Sequence, residues 1–419
     1  MEPLTEYARL LGENAKSASH ALRIVGAKPI AKSLSALSKN LQANQAAILS
    51  ANSVDVEEAK TAGLSSALVD RLTLNPKRLA AIANSVKEIA RLPNPLGKVL
   101  EKRRRKDGLK ITRVSVPIGT VLFIYESRPN VTIDGAALCL KSGNAVILRG
   151  GKEAARTNAA FAACIQKALA SAKMPEQAVQ IVNTPDRTLL DLLLKDETHI
   201  DVVIPRGGEN LIRAVAEKAR MPVIKHYRGV CHVYVDKSAD PKIALSVAVN
   251  AKAQRPGTCN AMETLLLDKS LSAKTGAALL KALLEQGVEL YGDETSQRLC
   301  AAVKPAQEAN YDMEYLDLRC SVKTVDGVKG ALAHIAKHGS SHTDAVIAKS
   351  PAVQKAFLTG VDSASLMVNA STRLADGGEY GLGAEVGIST DKLHARGPMG
   401  IESLTTYQWI VEGRGHVRK

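Results

Sequence analysis

The residues best placed to do chemistry lie in Asn250–Leu267, NAKAQRPGTCNAMETLLL. An amphipathic run from Asp240 to Gln254 reads as a helix: Asp240 can cap it, Pro241 suits its first turn, and Ile243, Val247 and Ala251 recur at helical spacing. Pro256 forbids continuation, and Gly257 permits a sharp, open turn. Cys259 follows, and the apolar run Thr264–Leu267 reads as a buried strand leaving that turn. A thiol on such a helix-to-strand corner is placed to meet a substrate as a nucleophile. The local sequence also accommodates an inert cysteine, although one that merely fills space more often sits inside a helix or strand.

Around this segment the chain must supply a scaffold, and its bulk numbers bound what that is. With 419 residues it exceeds one ordinary core, so two or three domains are expected. Hydrophobic residues make up 45% and aromatics only 3%, which suits an α/β protein rich in Ala, Leu and Val and argues against disorder. No run of about 18 or more apolar residues predicts a membrane span. The start, MEPLTEYARLLGENAK, lacks a basic n-region and an apolar h-region, so no secretory leader is expected. The cysteines Cys139, Cys164, Cys231, Cys259, Cys300 and Cys320 show no CxxC pair, which points to a reducing, cytoplasmic setting rather than to disulfides or zinc. The net charge of +14 allows nucleic acid, a membrane surface or small anions as partners. Aromatics are too few to stack single strands, which favours small anions and no nucleic acid.

From Pro3 to Leu92 the pattern is helical, with Ala31, Leu34, Leu37, Leu41 and Ile48 on apolar faces and a further helix opening at Asn75-Pro76. Lys102–Lys106 (KRRRK) ends in Asp107-Gly108, a hairpin signal. Its charge reads either as a solvated tip that blocks edge aggregation or as a nucleic-acid patch. Beyond Val114, strands expected at Val121–Tyr125, Ala145–Leu148, Val179–Val182 and Val202–Ile204 alternate with helices at Thr132–Lys141, Lys152–Ala172, Thr188–Leu194 and Glu209–Lys218. That alternation predicts a parallel sheet wrapped by helices, the usual nucleotide-binding scaffold. A second α/β block begins near Val230 and holds Cys259.

Arg206-Gly207-Gly208-Glu209 joins a strand end to a helix start, which offers free N–H groups to a pyrophosphate or is simply a tight turn. Gly381-Leu382-Gly383 with Gly387 imitates a dinucleotide fingerprint, but no βαβ unit follows, so it reads as a decoy. Asn130 is either a helix cap or an amide aimed at an oxyanion. His226, His232, His334, His338 and His342 have no partners at metal-ligand spacing and read as structural, with no metal site. Asn369–Arg373 and Lys392–Gly400 are cationic loops, either plain surface or anion-binding.

Taken in order, ESRPNVT, IPRGGENLI, NAKAQRPGTCNA, EYLDL, VNASTR and HARGPMGIESLTTY resemble the γ-glutamyl phosphate reductase family of the aldehyde dehydrogenase superfamily, from about residue 5 to residue 411. The resemblance implies a three-part α/β fold: a Rossmann-type NADPH-binding domain at 1–225, interrupted by the hairpin near 100–120; a catalytic domain at 226–365; and a segment at 366–419 that supplies active-site loops and an oligomerisation tail pairing with the hairpin. It implies reduction of L-glutamyl 5-phosphate by NADPH to glutamate 5-semialdehyde in proline biosynthesis, by a homodimer or higher oligomer, with glutamate kinase as a possible partner. By the same resemblance Cys259 is the nucleophile, Asn130 the oxyanion amide, and Glu314 the carboxylate on the nicotinamide ribose. Arg149 matches the contact to the adenosine ribose. Lys152 stands where NAD-preferring relatives carry a carboxylate, so it favours the 2′-phosphate of NADPH. Arg206, Gly207 and Gly208 join this cofactor set, and Arg373, His394 and Arg396 are candidates for the substrate's anionic groups. At His226 hydrolytic relatives place a water-activating glutamate, so its replacement implies that phosphate, not water, exchanges with the acyl group. Two rival readings are a reductase for another acyl substrate and a non-catalytic binding protein on the same fold.

Overall fold

The computed structural model describes residues 2–126 and 128–418, which leaves Ser127 of the ESRPN motif outside. The chain forms two compact units, one of Met1–Lys225 with Gly381–Gly387 and Met399–Lys419, the other of His226–Tyr380 with Ile388–Pro398. Segment 366–380, which the sequence reading assigned to the C-terminal part, therefore packs with the second unit.

The first unit begins with the helices Glu2–Val25, Ala27–Ala43, Gln45–Thr61, Ser66–Leu72 and Pro76–Arg91. In Ala27–Ala43 the residues Ile30, Leu34, Leu37 and Leu41 fall on one stripe and are all buried. Asn75 accepts from the Arg78 N–H and Pro76 opens the last of these helices. A four-stranded parallel sheet follows, in the order Val179–Ile181, Ala145–Arg149, Thr120–Tyr125, Val202–Arg206. The chain fills one side of Thr120–Tyr125 before crossing to the other. The carboxyl ends of Thr120–Tyr125 and Val202–Arg206 therefore flank a topological switch point, where open α/β sheets take their ligands.

The hairpin forms from Val99–Arg104 and Lys110–Pro117, and the C-terminal strand Thr405–Glu412 pairs antiparallel with the latter. This small sheet leaves Tyr407, Trp409, Ile410 and Val411 exposed. Arg103 and Arg113 lie over the Trp409 ring at 6.0 and 5.6 Å, and Arg113 also lies 4.8 Å from the Tyr407 ring centre. Part of the basic hairpin is thus spent on cation–π contacts within the sheet.

The second unit is built on seven parallel strands in the order Lys304–Pro305, Glu289–Gly292, Arg319–Val325, Met262–Asp268, Cys231–Val235, Thr343–Ile347, Ser365–Val368. Met262–Asp268 and Cys231–Val235 lie centrally and are buried along their whole length, as parallel strands covered on both faces must be. One of the buried positions is ionic: Lys252 Nζ lies 2.6 Å from Glu263 Oε2, with both side chains fully enclosed. Burial pushes the Glu263 carboxyl up to about 7, opposed by the Lys252 charge and by the Leu316 N–H. Because the folded value is raised, the carboxyl favours the folded state most at low pH, and this contribution is lost as pH climbs through about 7. Lys252→Met should therefore destabilise the fold by about 3–5 kcal/mol above pH 7, where an unpaired buried carboxylate results. The defect should shrink below pH 6, and denaturant unfolding at pH 8 and pH 5.5 compares the two; equal losses at both would remove the charge argument.

Candidate active site

The turn bearing Cys259 grows out of the helix Pro241–Ala253, which Asp240 caps by accepting from the Lys242 and Ile243 N–H groups. After it the chain is tied at each step. The Thr258 hydroxyl lies 2.9 Å from the Arg255 carbonyl and 3.0 Å from Asn260 Oδ1, Asn260 Nδ2 donates to the Ala375 carbonyl at 3.0 Å, and the Ala261 N–H returns to the Thr258 carbonyl at 3.0 Å. Gly257 is not in the left-handed region, and a Cβ there would stand 3.6 Å from the Leu316 carbonyl. The turn therefore does not depend on glycine at 257, contrary to the sequence expectation.

The close approach lies instead at Gly229, where a Cβ would fall on the backbone carbonyl of Cys259. The Gly229 N–H donates to Glu314 Oε1 at 2.9 Å, and Cys231 Sγ lies 3.2 Å from the Cys259 carbonyl oxygen. Glu314 thus holds the chain against which the Cys259 turn rests. Residue types alone do not disclose this; the one cue is a glycine two residues ahead of the strand Cys231–Val235.

Cys259 itself is half-buried, unlike Cys139, Cys164, Cys231 and Cys320, which are enclosed. Burial pushes the thiols of Cys139 and Cys231 far up, so neither is a nucleophile near neutral pH. Arg373 lies within electrostatic reach of Cys259 and donates from Nε to Gln254 Oε1 at 2.9 Å. A guanidinium within reach of this turn attracts anions. Two histidines dismissed on spacing also arrive here, because His226, Cys259 and His342 each bring a ring nitrogen or sulfur to within 4.8 Å of the others. They precede three strands of one sheet, and their separation in sequence hides the meeting. His232 is structural as expected, with Nδ1 on buried Asp344 at 2.8 Å, and His334 is held neutral by burial, its value lowered to about 3. Arg396 donates to the Asp362 carboxylate at 2.9 Å and also to its carbonyl, while His394 is exposed.

In the first unit the helix containing Asn130 starts at Pro129, so Asn130 is inside the first turn and is not its cap. Gly135 lets this helix lie on Phe123, and the Tyr125 hydroxyl at 2.7 Å from Thr132 Oγ1 pins its start. Asn130 Nδ2 donates to Asp134 at 3.2 Å. Burial raises the Asp134 carboxyl to about 6 against hydrogen bonds from Asn130 and Ser85. Arg149 donates to the Pro185 carbonyl at 3.1 Å, and Lys152 is exposed at the start of the following helical turn. The Gly208 N–H carries the Glu126 carboxylate at 2.9 Å, and a Cβ at Gly207 would meet the same carboxylate. The helix N-terminus expected to cradle a pyrophosphate thus holds an anion from its own chain. Arg149-Gly150-Gly151 repeats the Arg206-Gly207-Gly208 pattern at the end of a second strand of this sheet, a repeat the sequence reading passed over.

Residues 6–317 match the aldehyde dehydrogenase family model. The chain belongs to the aldehyde dehydrogenase family. Within that family it is 48% identical over 410 residues to the gamma-glutamyl phosphate reductase of Salmonella enteritidis, covering 97% of this chain and 99% of the relative. The Rhizorhabdus wittichii protein of the same name is also 48% identical, over 97% of this chain and 95% of its own. The crystal structure of gamma-glutamyl phosphate reductase from Thermotoga maritima superimposes with a TM-score of 0.96 at 40% identity, covering 98% of this chain and all of that one. An acetylating aldehyde dehydrogenase from Geobacillus thermoglucosidasius, 18% identical with a TM-score of 0.71, shares the fold.

Gly229→Ala should lower turnover through Cys259 on the order of 10²-fold, because a displacement near 1 Å at a reacting group costs that much. Gly257→Ala should stay within about twofold of the parent, as a substitution that creates no clash does. Steady-state rates on variants with unchanged circular dichroism test both, and equal losses would show that Gly229 does not set the position of the thiol.

Proposed function

We propose that this chain reduces L-glutamyl 5-phosphate with NADPH to L-glutamate 5-semialdehyde and phosphate, the second step of proline biosynthesis from glutamate. The observation that carries this reading is the end-to-end likeness to gamma-glutamyl phosphate reductases, 48% identical across 97% of the chain. The pinned, half-buried Cys259 supports it chemically.

The carboxyl edge of the four-stranded sheet suits a dinucleotide: it carries two Arg-Gly-Gly loops, the half-buried Arg149 and the exposed Lys152. Arg149, Lys152, Arg206, Gly207, Gly208 and, in the second unit, Glu314 are the residues proposed to hold NADPH. Since the Gly208 N–H is taken by Glu126, a phosphate binding there must displace that carboxylate or use the neighbouring Arg149–Lys152 loop. Lys152 offers its charge to a 2′-phosphate. When bound, NADPH supplies the hydride.

The thiolate of Cys259 attacks the γ-carbonyl, and the amide of Asn130 and the N–H of Cys259 are proposed to hold the oxyanion. Phosphate leaves and a thioester remains. Asp134, by accepting one N–H of Asn130, fixes the amide and leaves its second N–H to donate. After reduction the thiohemiacetal collapses and the semialdehyde departs. Arg373 stays a candidate for the substrate's phosphate or α-carboxylate because it stands near the thiol; Arg396 would first have to leave Asp362, and His394 is offered only as an exposed polar side chain. With a histidine at 226 in place of a glutamate, no carboxylate at that position directs water to the thioester.

The exposed edge strand Thr405–Glu412, rich in apolar side chains, is proposed to pair chains into a homodimer or larger oligomer. None of the described helices is long and apolar enough to cross a membrane, and the reading places the enzyme in the cytoplasm, with glutamate kinase as the class of partner that would hand over its labile substrate.

NADP⁺ reduction with glutamate semialdehyde should require inorganic phosphate, and Cys259→Ser should abolish it while NADPH binding persists. Turnover that ignores phosphate would assign a different reaction. Lys152→Glu should weaken NADPH by about 10- to 100-fold, the worth of a charge-assisted contact, and leave NADH nearly unchanged. An unchanged cofactor ratio would take Lys152 out of the adenosine site. In sedimentation, Ile410→Lys with Trp409→Lys should shift the protein to monomer, and an unaltered oligomer would place the interface elsewhere.

A further inference from the structure

We propose that His226, Cys259 and His342 form a site for a thiophilic divalent cation, Zn²⁺ foremost, whose reversible occupation blocks the thiol. The inference rests on the reading of Cys259 as nucleophile for its consequence, not for the binding itself.

The donor set is one sulfur and two imidazole nitrogens, all within 4.8 Å of one another. Around tetrahedral zinc, with Zn–S about 2.3 Å and Zn–N about 2.0–2.1 Å, such atoms sit roughly 3.4–3.6 Å apart. Closing the difference takes about 1 Å, within reach of small side-chain rotations.

His226 is already oriented as a metal-bound histidine is. Its Nδ1 lies 2.7 Å from the Ile388 carbonyl, and a carbonyl only accepts, so Nδ1 carries a hydrogen and Nε2 is the nitrogen left to a metal when the ring is neutral. A backbone carbonyl on the far nitrogen is one of the usual partners that orient a metal-bound histidine. The buried ring of His342 is fixed by Thr343 Oγ1 at 3.0 Å and by Cys231 Sγ at 3.7 Å from its Nδ1. The two rings meet edge to face, with centroids 5.3 Å apart.

Charge and access also fit. Burial chiefly raises the neighbouring Cys231 thiol, and acidic groups around it, Asp344 first, add to that rise, a surrounding that suits a cation. Arg373, whose Nε is tied to Gln254, opposes a cation. Cys259 and His226 are only half-buried, so an ion has a way in. Three protein ligands leave a fourth position for water, the arrangement of exchangeable rather than closed zinc sites. On binding, the Sγ–H bond breaks, an Sγ–metal bond forms and the proton passes to solvent; nothing is oxidised or reduced.

Titrating the full-length reduced protein with Co²⁺ tests this by spectroscopy alone. One equivalent should give a thiolate-to-cobalt charge-transfer band with tetrahedral d–d absorption, and Zn²⁺ should bleach both. Cys259→Ser should abolish the charge-transfer band. His226→Gln, at a half-buried position, and His342→Gln should each weaken binding at least about tenfold. In the parent enzyme Zn²⁺ should inhibit reversibly, with EDTA restoring activity. A band that survives Cys259→Ser, binding unaffected by both histidine variants, or the absence of stoichiometric uptake overturns the site. Cobalt uptake by a protein without phosphate-dependent activity would sink the proposed function and leave this inference standing, and an active enzyme that takes up no cobalt does the reverse.

Discussion

The backbone of Gly229 lies so close to the carbonyl of Cys259 that no side chain fits between them, and that approach fixes where the thiol stands. Glu314 holds Gly229 from one side by accepting its N–H, and Cys231 meets the same Cys259 carbonyl from within the sheet. The turn that follows closes on itself through Thr258, Asn260 and Ala261, with Ala375 as its outer anchor. A nucleophile gains from such confinement, because orientation fixed in advance is barrier not met at the moment of reaction. Glu314 acquires a structural duty from this arrangement in addition to the cofactor contact that family resemblance assigns to it.

Electrostatics around the turn are mixed by design of the sheet. The buried Lys252–Glu263 pair ties the end of the preceding helix to the strand that leaves the turn, and through the Leu316 N–H it reaches the loop that carries Glu314. Enclosed cysteines are kept as thiols by burial, whereas the half-buried Cys259 has a guanidinium nearby. The net charge of +14 suits anionic reactants, which a basic protein gathers faster and holds longer.

Much of this was legible in the sequence, and the failures share a cause. Asp240, Pro241 and the apolar spacing marked the helix before the turn because caps and periodicity are local properties. The four strands of the first parallel sheet, and Thr264–Leu267 of the second, stood out as buried apolar runs for the same reason, while the other strands of the second sheet were not singled out. The meeting of His226 and His342 with Cys259 depends on which strands lie side by side, which no spacing encodes. Likewise Gly257 invited credit for a conformation that it does not adopt, while the demanding glycine, Gly229, owes its role to a chain segment 30 residues away. The phosphate-binding expectation for Gly207-Gly208 was sound as helix-terminus physics, yet Glu126 occupies the N–H it relied on. The segment 366–380 joined the second unit because its partners, among them Asn260 and Gln254, belong to that sheet's loops.

The claim on which the account turns is that the acyl group passes through the sulfur of Cys259. Mixing the enzyme with glutamate semialdehyde and NADP⁺ in phosphate-free buffer, quenching in acid and mapping peptides by mass spectrometry reads that directly. The account predicts a glutamyl thioester on the peptide containing Cys259, discharged when phosphate is added before the quench. NADPH formation with that cysteine unmodified, or with the adduct on another residue, would contradict it.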